Sequence, residues 1–445
     1  MAYFARANYS YLDKYLLSAS YRREGSSRFG ANNKWGNFPA ASVGWRVSEE
    51  SFMPEYSWLT DLKLRASFGV TGNNDIGNYT SLSNLSTSNY ILGDAIANGQ
   101  VLAAFANADL GWEQSNQLDI GLDLSMFDNK LIFTGEYYER ITNNMLLSVE
   151  IPVISGFTST ISNVGKVENK GLEFALDYRT KFNQINFRSN FNISFNRNKV
   201  LEIQGDTDAI WNGGFYSTYN VSRVGRPIGM LTGYKMMGIF NTEEEIDAWP
   251  TQDGAIPGVY KYFDANGDGE ISYDQEDMVE IGNPHPAFIY ALTLGADYKQ
   301  FDINMLFTGA HNYDVFRNIE ATTMNMDGVF NILKSGVNRW RSAENPGDGR
   351  GATSNTWKWE RESNSRYIYD ASHVWLKNIS FGYTIPSGNF MKNARVYVSA
   401  ENLFLMTDFP GSNPEVNNRG GINPGVDDEV YPVPRTFSVG ANIRF

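Results

Sequence analysis

The chain has no cysteine among its 445 residues. That excludes disulfides and thiolate metal centres, and with them the usual staple of a small secreted domain. Histidine is nearly as scarce, at 3. His285, His311 and His373 stand far apart with no partners at metal-ligand spacing, and Pro284 and Pro286 make His285 part of a rigid loop exit. No G-x-S-x-G, H-E-x-x-H or phosphate-binding loop occurs, so the sequence does not read as an enzyme. No run of about eighteen apolar residues exists, which excludes a transmembrane helix and leaves strands as the only way across a bilayer. Residues 1–20 already alternate like strands, so any export leader is expected upstream of this sequence. The net charge of −13 argues against a nucleic-acid partner.

What the chain does have is period-two alternation. Leu62, Leu64, Ala66, Phe68 and Val70 interleave with Lys63, Arg65, Ser67 and Gly69. Leu118, Ile120, Leu122 and Leu124 interleave with Gln117, Asp119, Gly121 and Asp123. Phe187, Phe191, Ile193 and Phe195 interleave with Arg188, Asn190, Asn192 and Asn196. At the end, Phe437, Val439, Ala441, Ile443 and Phe445 share one face, and Thr436, Ser438, Gly440, Asn442 and Arg444 the other. Such strands run longer than the five or six residues usual in a soluble sandwich, and each has a polar face throughout. That combination fits an all-β fold, a transmembrane antiparallel β-barrel with an oily exterior and a wet lumen.

The links carry the same message. Strands are expected near 3–11, 14–23, 39–47, 62–71, 112–125, 130–142, 168–180, 184–198, 287–299, 301–311, 373–385, 394–404 and 434–445. Short links at Leu12–Asp13, Phe127–Asn129, Lys181–Asn183, Gln300 and Pro386–Asn393 alternate with long ones at 24–38, 72–111, 143–167, 199–286, 312–372 and 405–433. The link at 48–61 joins the short set by parity. Outer-membrane barrels have this asymmetry, short on the periplasmic side and long outside; soluble β architectures have no reason to keep it.

Several segments then resemble one family in its own order: WLTDLKLRASFGVTGNNDIGNY, IGNPHPAFIYALTLGADYKQFDINMLFTG, RYIYDASHVWLKNISFGYTIP, ARVYVSAENLFLMTDFPGSNPEVN and YPVPRTFSVGANIRF. Together they resemble the C-terminal half of the SusC/RagA family of TonB-linked outer-membrane transporters of Bacteroidetes. The resemblance implies a whole barrel of about 22 strands closed by a plug that is absent from 1–445, so residues here form the C-terminal part of that barrel. It implies nutrient import, of oligosaccharides or peptides, with a SusD-like lipoprotein as lid and TonB–ExbB–ExbD acting through the missing N-terminal part. It also implies that Phe445, a terminal aromatic on an alternating strand, is read by the barrel-assembly machinery. A passive porin or adhesin-like barrel and a soluble calcium-stabilised carbohydrate-binding β protein are the rival readings.

Two local signals remain. Asp264, Asn266 and Asp268 place oxygens at loop positions one, three and five, Gly269 follows for the turn, Glu270 offers its carbonyl and Ile271 packs inward. This is the pattern of a calcium loop, with a structural Ca2+ in an extracellular segment. The twelfth position is Gln275, so one of Asp274, Glu276 and Asp277 is expected to swing in. A tight Asp/Gly turn with no ion is the plain alternative. The second signal is aromatic: Trp211, Phe215, Tyr216 and Tyr219 in one loop, Trp357, Trp359, Tyr367 and Tyr369 in another. Rings of this kind stack on sugars, but a lipid-headgroup girdle or packing onto a lid protein is favoured over direct ligand contact. The 328–341 segment, with Val329, Ile332, Leu333 and Val337 at helical spacing, reads as a short helix packed on the rim.

Overall fold

This computed structural model describes residues 1–445 except 104–105, 151–153, 155, 158, 204–208, 214–217, 273–274, 325–330, 355–361, 387–391, 417–420, 429 and 445, and the side chains of 147–150, 159–160, 164 and 218. The chain divides into two compact units, Met1–Arg179 with Asn196–Asp208 and Thr180–Phe195 with Ala209–Phe445.

In the first unit the long strands are β1 (Ala2–Tyr11), β2 (Tyr15–Gly25), β3 (Trp35–Arg46), β4 (Leu59–Asn73), β5 (Glu113–Met126), β6 (Leu131–Glu150) and β7 (Ser159–Phe182). Each runs antiparallel to the one before it. The unit border crosses β7 and β8 (Ile185–Ile203). The second unit adds β9 (Phe288–Tyr298), β10 (Phe301–His311), β11 (His373–Ile385), β12 (Asn393–Thr407) and β13 (Thr436–Arg444), again a meander. These are the strands the alternation predicts.

Register shows why the alternation matters. Tyr9, Leu17, Val43, Ala66, Ile120, Tyr137 and Leu172 form one row across the first unit. One residue along, Asn8, Ser18, Ser42, Ser67, Asp119 and Tyr138 form the next. The second unit repeats the design, with Phe187, Ala296, Ile303, Phe381, Val398 and Val439 in one row and Arg188, Gly295, Asn304, Ser380, Ser399 and Ser438 beside it. A slip of one residue on any strand would exchange its two faces. The apolar rows stand open: Ile120 is 52% exposed and Val439 86%. In water such contiguous apolar area is unfavourable, whereas in hydrocarbon it is matched to its solvent.

The tight turns sit at one end of the strands. Leu12 and Asp13, then Phe127, Asp128 and Asn129, then Asn183 and Lys299 all have positive φ, the left-handed backbone that sharp reversals require and that Asp and Asn tolerate. The β3–β4 link carries a short 3-10 turn, Val47–Glu49. Outward aromatics crowd this end, with Tyr11 6.4 Å from Tyr15 and Phe301 4.9 Å from Tyr383 between ring centres. They also crowd the other end, where Tyr3 stacks on Trp35 and Tyr290 on His311. Two aromatic girdles flanking an apolar band are what a membrane-spanning strand set presents.

One expected long loop is not one. The 143–167 link is mostly strand, because β6 and β7 stay paired as far as Glu150↔Ser159 after an irregularity at Met145. Its polar, β-branched sequence continues the ladder instead of breaking it.

The remaining long segments of the second unit fold into a layer with its own cores. Ala209–Gly213, Thr218–Arg223, Met230–Gly233 and Val279–Gly282 make a four-stranded sheet. Asp314–Phe316 pairs with Ile368–Asp370. The helix Glu243–Asp247 is capped by the Thr242 side chain, which accepts from Glu245 N. Tyr219, Tyr234, Tyr260, Tyr262, Tyr367, Phe240 and Phe316 are all buried here and are among the largest fully buried side chains described.

Candidate functional site

Two surfaces carry the polar chemistry, the polar face of the strands and the folded outer layer. On the polar face of the first unit, Arg65 lies 2.6 Å from Glu136 and 3.4 Å from Asp123, and Lys63 is 3.5 Å from Asp123. Ser67 donates to Asp119 at 3.0 Å. Gly121 makes room for this, since a Cβ there would come within 2.6 Å of the Arg65 guanidinium. A hollow of about 520 Å³ is lined here by Asn8, Lys63, Arg65 and Asp119 together with apolar residues such as Leu17 and Val43.

The second unit uses the same device. Arg188 reaches Asp297 at 3.0 Å and Asn304 at 2.9 Å across Gly295. Arg395 forks onto both oxygens of Asp302, at 2.9 and 2.6 Å, across Gly382. Asn186, Asn190 and Asn192 follow one another along the same side of β8 in this unit. Such a wall offers donors, acceptors and paired charges to a hydrated solute.

In the outer layer the central polar group is Glu320, 5% exposed. Arg366 lies 2.7 Å from its Oε2, Tyr369 donates to the same oxygen at 2.8 Å, and Arg317 holds Oε1. A buried carboxylate needs such partners. The network joins the helix Asn318–Thr323 to the strand Ile368–Asp370. Nothing in the sequence pointed to it, because Glu320 and Arg366 are 46 residues apart and share no motif. Burial raises the Tyr369 phenol above its ordinary value, helped by the Glu320 charge. Burial likewise lowers His285, against the opposing pull of the Ile228 carbonyl 2.6 Å from its Nε2. At the loop junction His373 is 2% exposed, with Glu415 3.4 Å from Nε2 and the Ala371 carbonyl 3.0 Å from Nδ1. The His373 contact, then that of Lys377, holds the Glu415 carboxyl below its usual range.

The aromatic candidates fall in different places. Tyr219 is 1% exposed and stacks on Phe316 at 5.1 Å. Tyr367 packs edge-on against the same Phe316. Trp211 is half-buried with the Arg223 guanidinium 5.0 Å above its ring. Tyr219 and Tyr367 form the interior of the layer, and Trp211 packs at the edge of its cores. Phe215, Tyr216, Trp357 and Trp359 lie outside the described residues, as does Phe445. In the 328–341 segment, Val329 also lies outside them; the described part is a 3-10 turn, Lys334–Asn338, with Ile332 48% and Val337 58% exposed, so no apolar helical face packs there.

The Asp264 loop is a tightly wound turn. Asp264 accepts from Gly267 N at 2.7 Å and Gly269 N at 3.0 Å, Asn266 from Asp268 N at 3.0 Å, and Asp268 from Glu270 N at 2.8 Å. Gly267 and Gly269 take the positive φ the turn requires. Asp277, 1% exposed, reaches back to Ala265 N at 2.9 Å and Ser272 N at 3.2 Å. Asp277 thus folds in onto backbone amides. Glu276 Oε2 faces the Asn266 amide at 3.4 Å, and Asp274 lies outside the described residues. Ile271 packs inward with Tyr260 and Tyr262. Among the described residues no group of three Asp, Glu, His or Cys is placed to hold a metal ion. The oxygens of Asp264, Asn266 and Asp268 that accept amides retain a second lone pair, so the donor set fits a hard cation in part.

The family model for the β-barrel of TonB dependent receptor-like proteins matches residues 1–403. TonB-dependent receptor P3 of Formosa agariphila is 36% identical over 460 residues, covering 99% of this chain and 45% of the relative. TonB-dependent receptor SusC of Bacteroides thetaiotaomicron is 28% identical, covering 100% of the chain and 44% of SusC. A solved structure of the RagAB peptide transporter superposes with a TM-score of 0.83 at 26% identity, over 100% of this chain and 47% of that one. The chain therefore spans less than half the length of these relatives. Barrels of this family are outer-membrane receptors and transporters, and this chain belongs to them, as a TonB-dependent receptor β-barrel of SusC/RagA-like type.

Proposed function

We propose that this chain is the C-terminal barrel portion of an outer-membrane importer that takes up nutrient oligomers, glycans or peptides, without bond chemistry. In that reading a SusD-like lipoprotein covers the outer layer and delivers the ligand. TonB–ExbB–ExbD moves a plug that lies outside this chain. The observation that carries it is the pair of adjacent rows, one apolar and one polar, held in register through each unit. RagAB, a peptide transporter, supports uptake of an oligomer, and SusC supports the same architecture. The test is deletion of the full gene in its own host, with growth measured on single glycans and peptides. Loss of growth on one class, restored by the intact gene and by no variant lacking the TonB-contacting region, is the expected result. Unchanged growth on every oligomer, or rescue without that region as a passive pore would give, overturns it.

Ca2+ in the Asp264 loop belongs to the same proposal. Asp264, Asn266, Asp268 and the Glu270 carbonyl would hold it, and its role would be to stiffen the loop, with Asp277 bracing the turn from beneath. Adding Ca2+ to chelator-treated full-length protein is expected to slow protease cleavage near residue 268, and Asp268→Ala to abolish the effect. Equal cleavage with and without Ca2+ leaves the plain Asp/Gly turn.

A further inference from the structure

Outward side chains on β7 and β8 change character at one height. Along β7 they read Tyr178, Leu176, Phe174 and Leu172, then Lys170, Glu168 and Lys166. Along β8 they read Phe187, Ser189, Phe191, Ile193 and Phe195, then Arg197 and Lys199. Lys170 lies twelve residues before the end of β7, and Arg197 twelve residues after the start of β8. Twelve residues at about 3.3 Å each reach about 40 Å along a strand, or about 30 Å of height at a tilt near 40°. The apolar band of a barrel is about 25 Å tall, so these cations stand just above it on the side away from the tight turns. Lys170, Arg197 and Lys199 are exposed. Two carboxylates share the patch: Glu168, 3.0 Å from Lys170 Nζ, and Glu139, opposite Lys170 in register. Four cations against two carboxylates leave the patch basic, in a chain whose net charge is −13.

We propose that Lys166, Lys170, Arg197 and Lys199 form a docking surface for the anionic, phosphate-bearing headgroup of an outer-leaflet lipid. A cation on an outward face one step above hydrocarbon has headgroups as its neighbours, and Arg and Lys suit phosphate. Apolar rings below and charge above match the two ends of one lipid molecule.

The inference rests on the membrane reading, and flotation separates the two. Full-length protein is mixed with vesicles of phosphatidylcholine alone, with a bis-phosphorylated glycolipid added, or with the same glycolipid dephosphorylated. Flotation with all three vesicles confirms insertion; failure to float overturns both readings. Among inserted samples, wild type is expected to retain the phosphorylated glycolipid about tenfold better than the dephosphorylated one, with inorganic phosphate a poor competitor. The Arg197→Gln/Lys199→Gln pair removes that preference, and Arg197→Lys/Lys199→Arg keeps it. Equal retention of the two glycolipids by wild type overturns the inference while leaving the barrel intact, as does a Gln pair that retains the preference. Competition by free phosphate as strong as by the glycolipid shows an adventitious ion only, which overturns it too.

Discussion

The strand wall and the outer layer solve opposite problems with the same residue types. In the wall Ile120 is 52% and Phe381 47% exposed, and hydrogen-bonded ladders hold the strands. In the layer Tyr219 is 1% and Phe316 0% exposed, and side chains packed on side chains hold the segments. The layer is packed by apolar side chains buried against one another, and such burial stabilises it. The wall draws its stability from backbone pairing and from a solvent that welcomes its rows. The lesson is that exposed apolar area in this chain is informative only when its neighbours across the ladder are known.

The difference can be broken first in the layer. Arg366→Leu leaves Glu320 with one cation fewer in a buried site, a change expected to cost about 3–5 kcal/mol. Protease sites within 312–372 should open in the full-length protein. The heat-modifiable gel mobility that reports the wall should stay as in wild type. Joint loss of both would mean the layer and the wall are one cooperative unit.

A smaller effect sharpens the contrast between the two faces of the wall. Ile120→Arg puts a charge into the apolar row and is expected to cost about 2–4 kcal/mol when the protein folds into vesicles, if Ile120 lies near the midplane. Ser42→Arg, in the polar row, should cost under about 1 kcal/mol, because its side chain meets water. Urea titration of folding into vesicles measures both. Similar costs would remove the distinction between faces.

The smallest effect is in pH. Burial lowers His285, so its folded pKa lies below the unfolded value near 6.5. Its contribution is therefore intact above that value and is lost as pH falls through it toward the folded pKa. Hydrogen-exchange protection of the 228–285 region, corrected for the intrinsic pH dependence of amide exchange, is expected to fall between about pH 7.5 and 5, and His285→Gln to flatten the profile. The Asp314 carboxyl, raised by burial, has the opposite sign, since the fold favours its neutral form at low pH. Protection that rises on acidification would mean that Asp314 outweighs His285.

Most of the wall was legible in the sequence. Alternation in segments such as Leu62–Val70 and Leu118–Leu124 fixes which residues share a face, because the strand period is two whatever the neighbours are. Link lengths then fix which ends hold the tight turns. The 143–167 link, expected as a loop, carries residues that suit both loop and strand, and the partner strand decided between them. The Asp264 turn was legible too, because its Asx contacts span two to five residues.

What the sequence alone determined is thus the local and the periodic: strand faces, turn positions, the short acidic loop. Only the tertiary structure decided where Tyr219 and Tyr367 spend their rings, and that Glu320 meets Arg366 and Tyr369. The physical reason is sequence distance. A side chain's two faces are set by its own backbone, but the partner that buries it arrives from a segment whose approach no local pattern encodes.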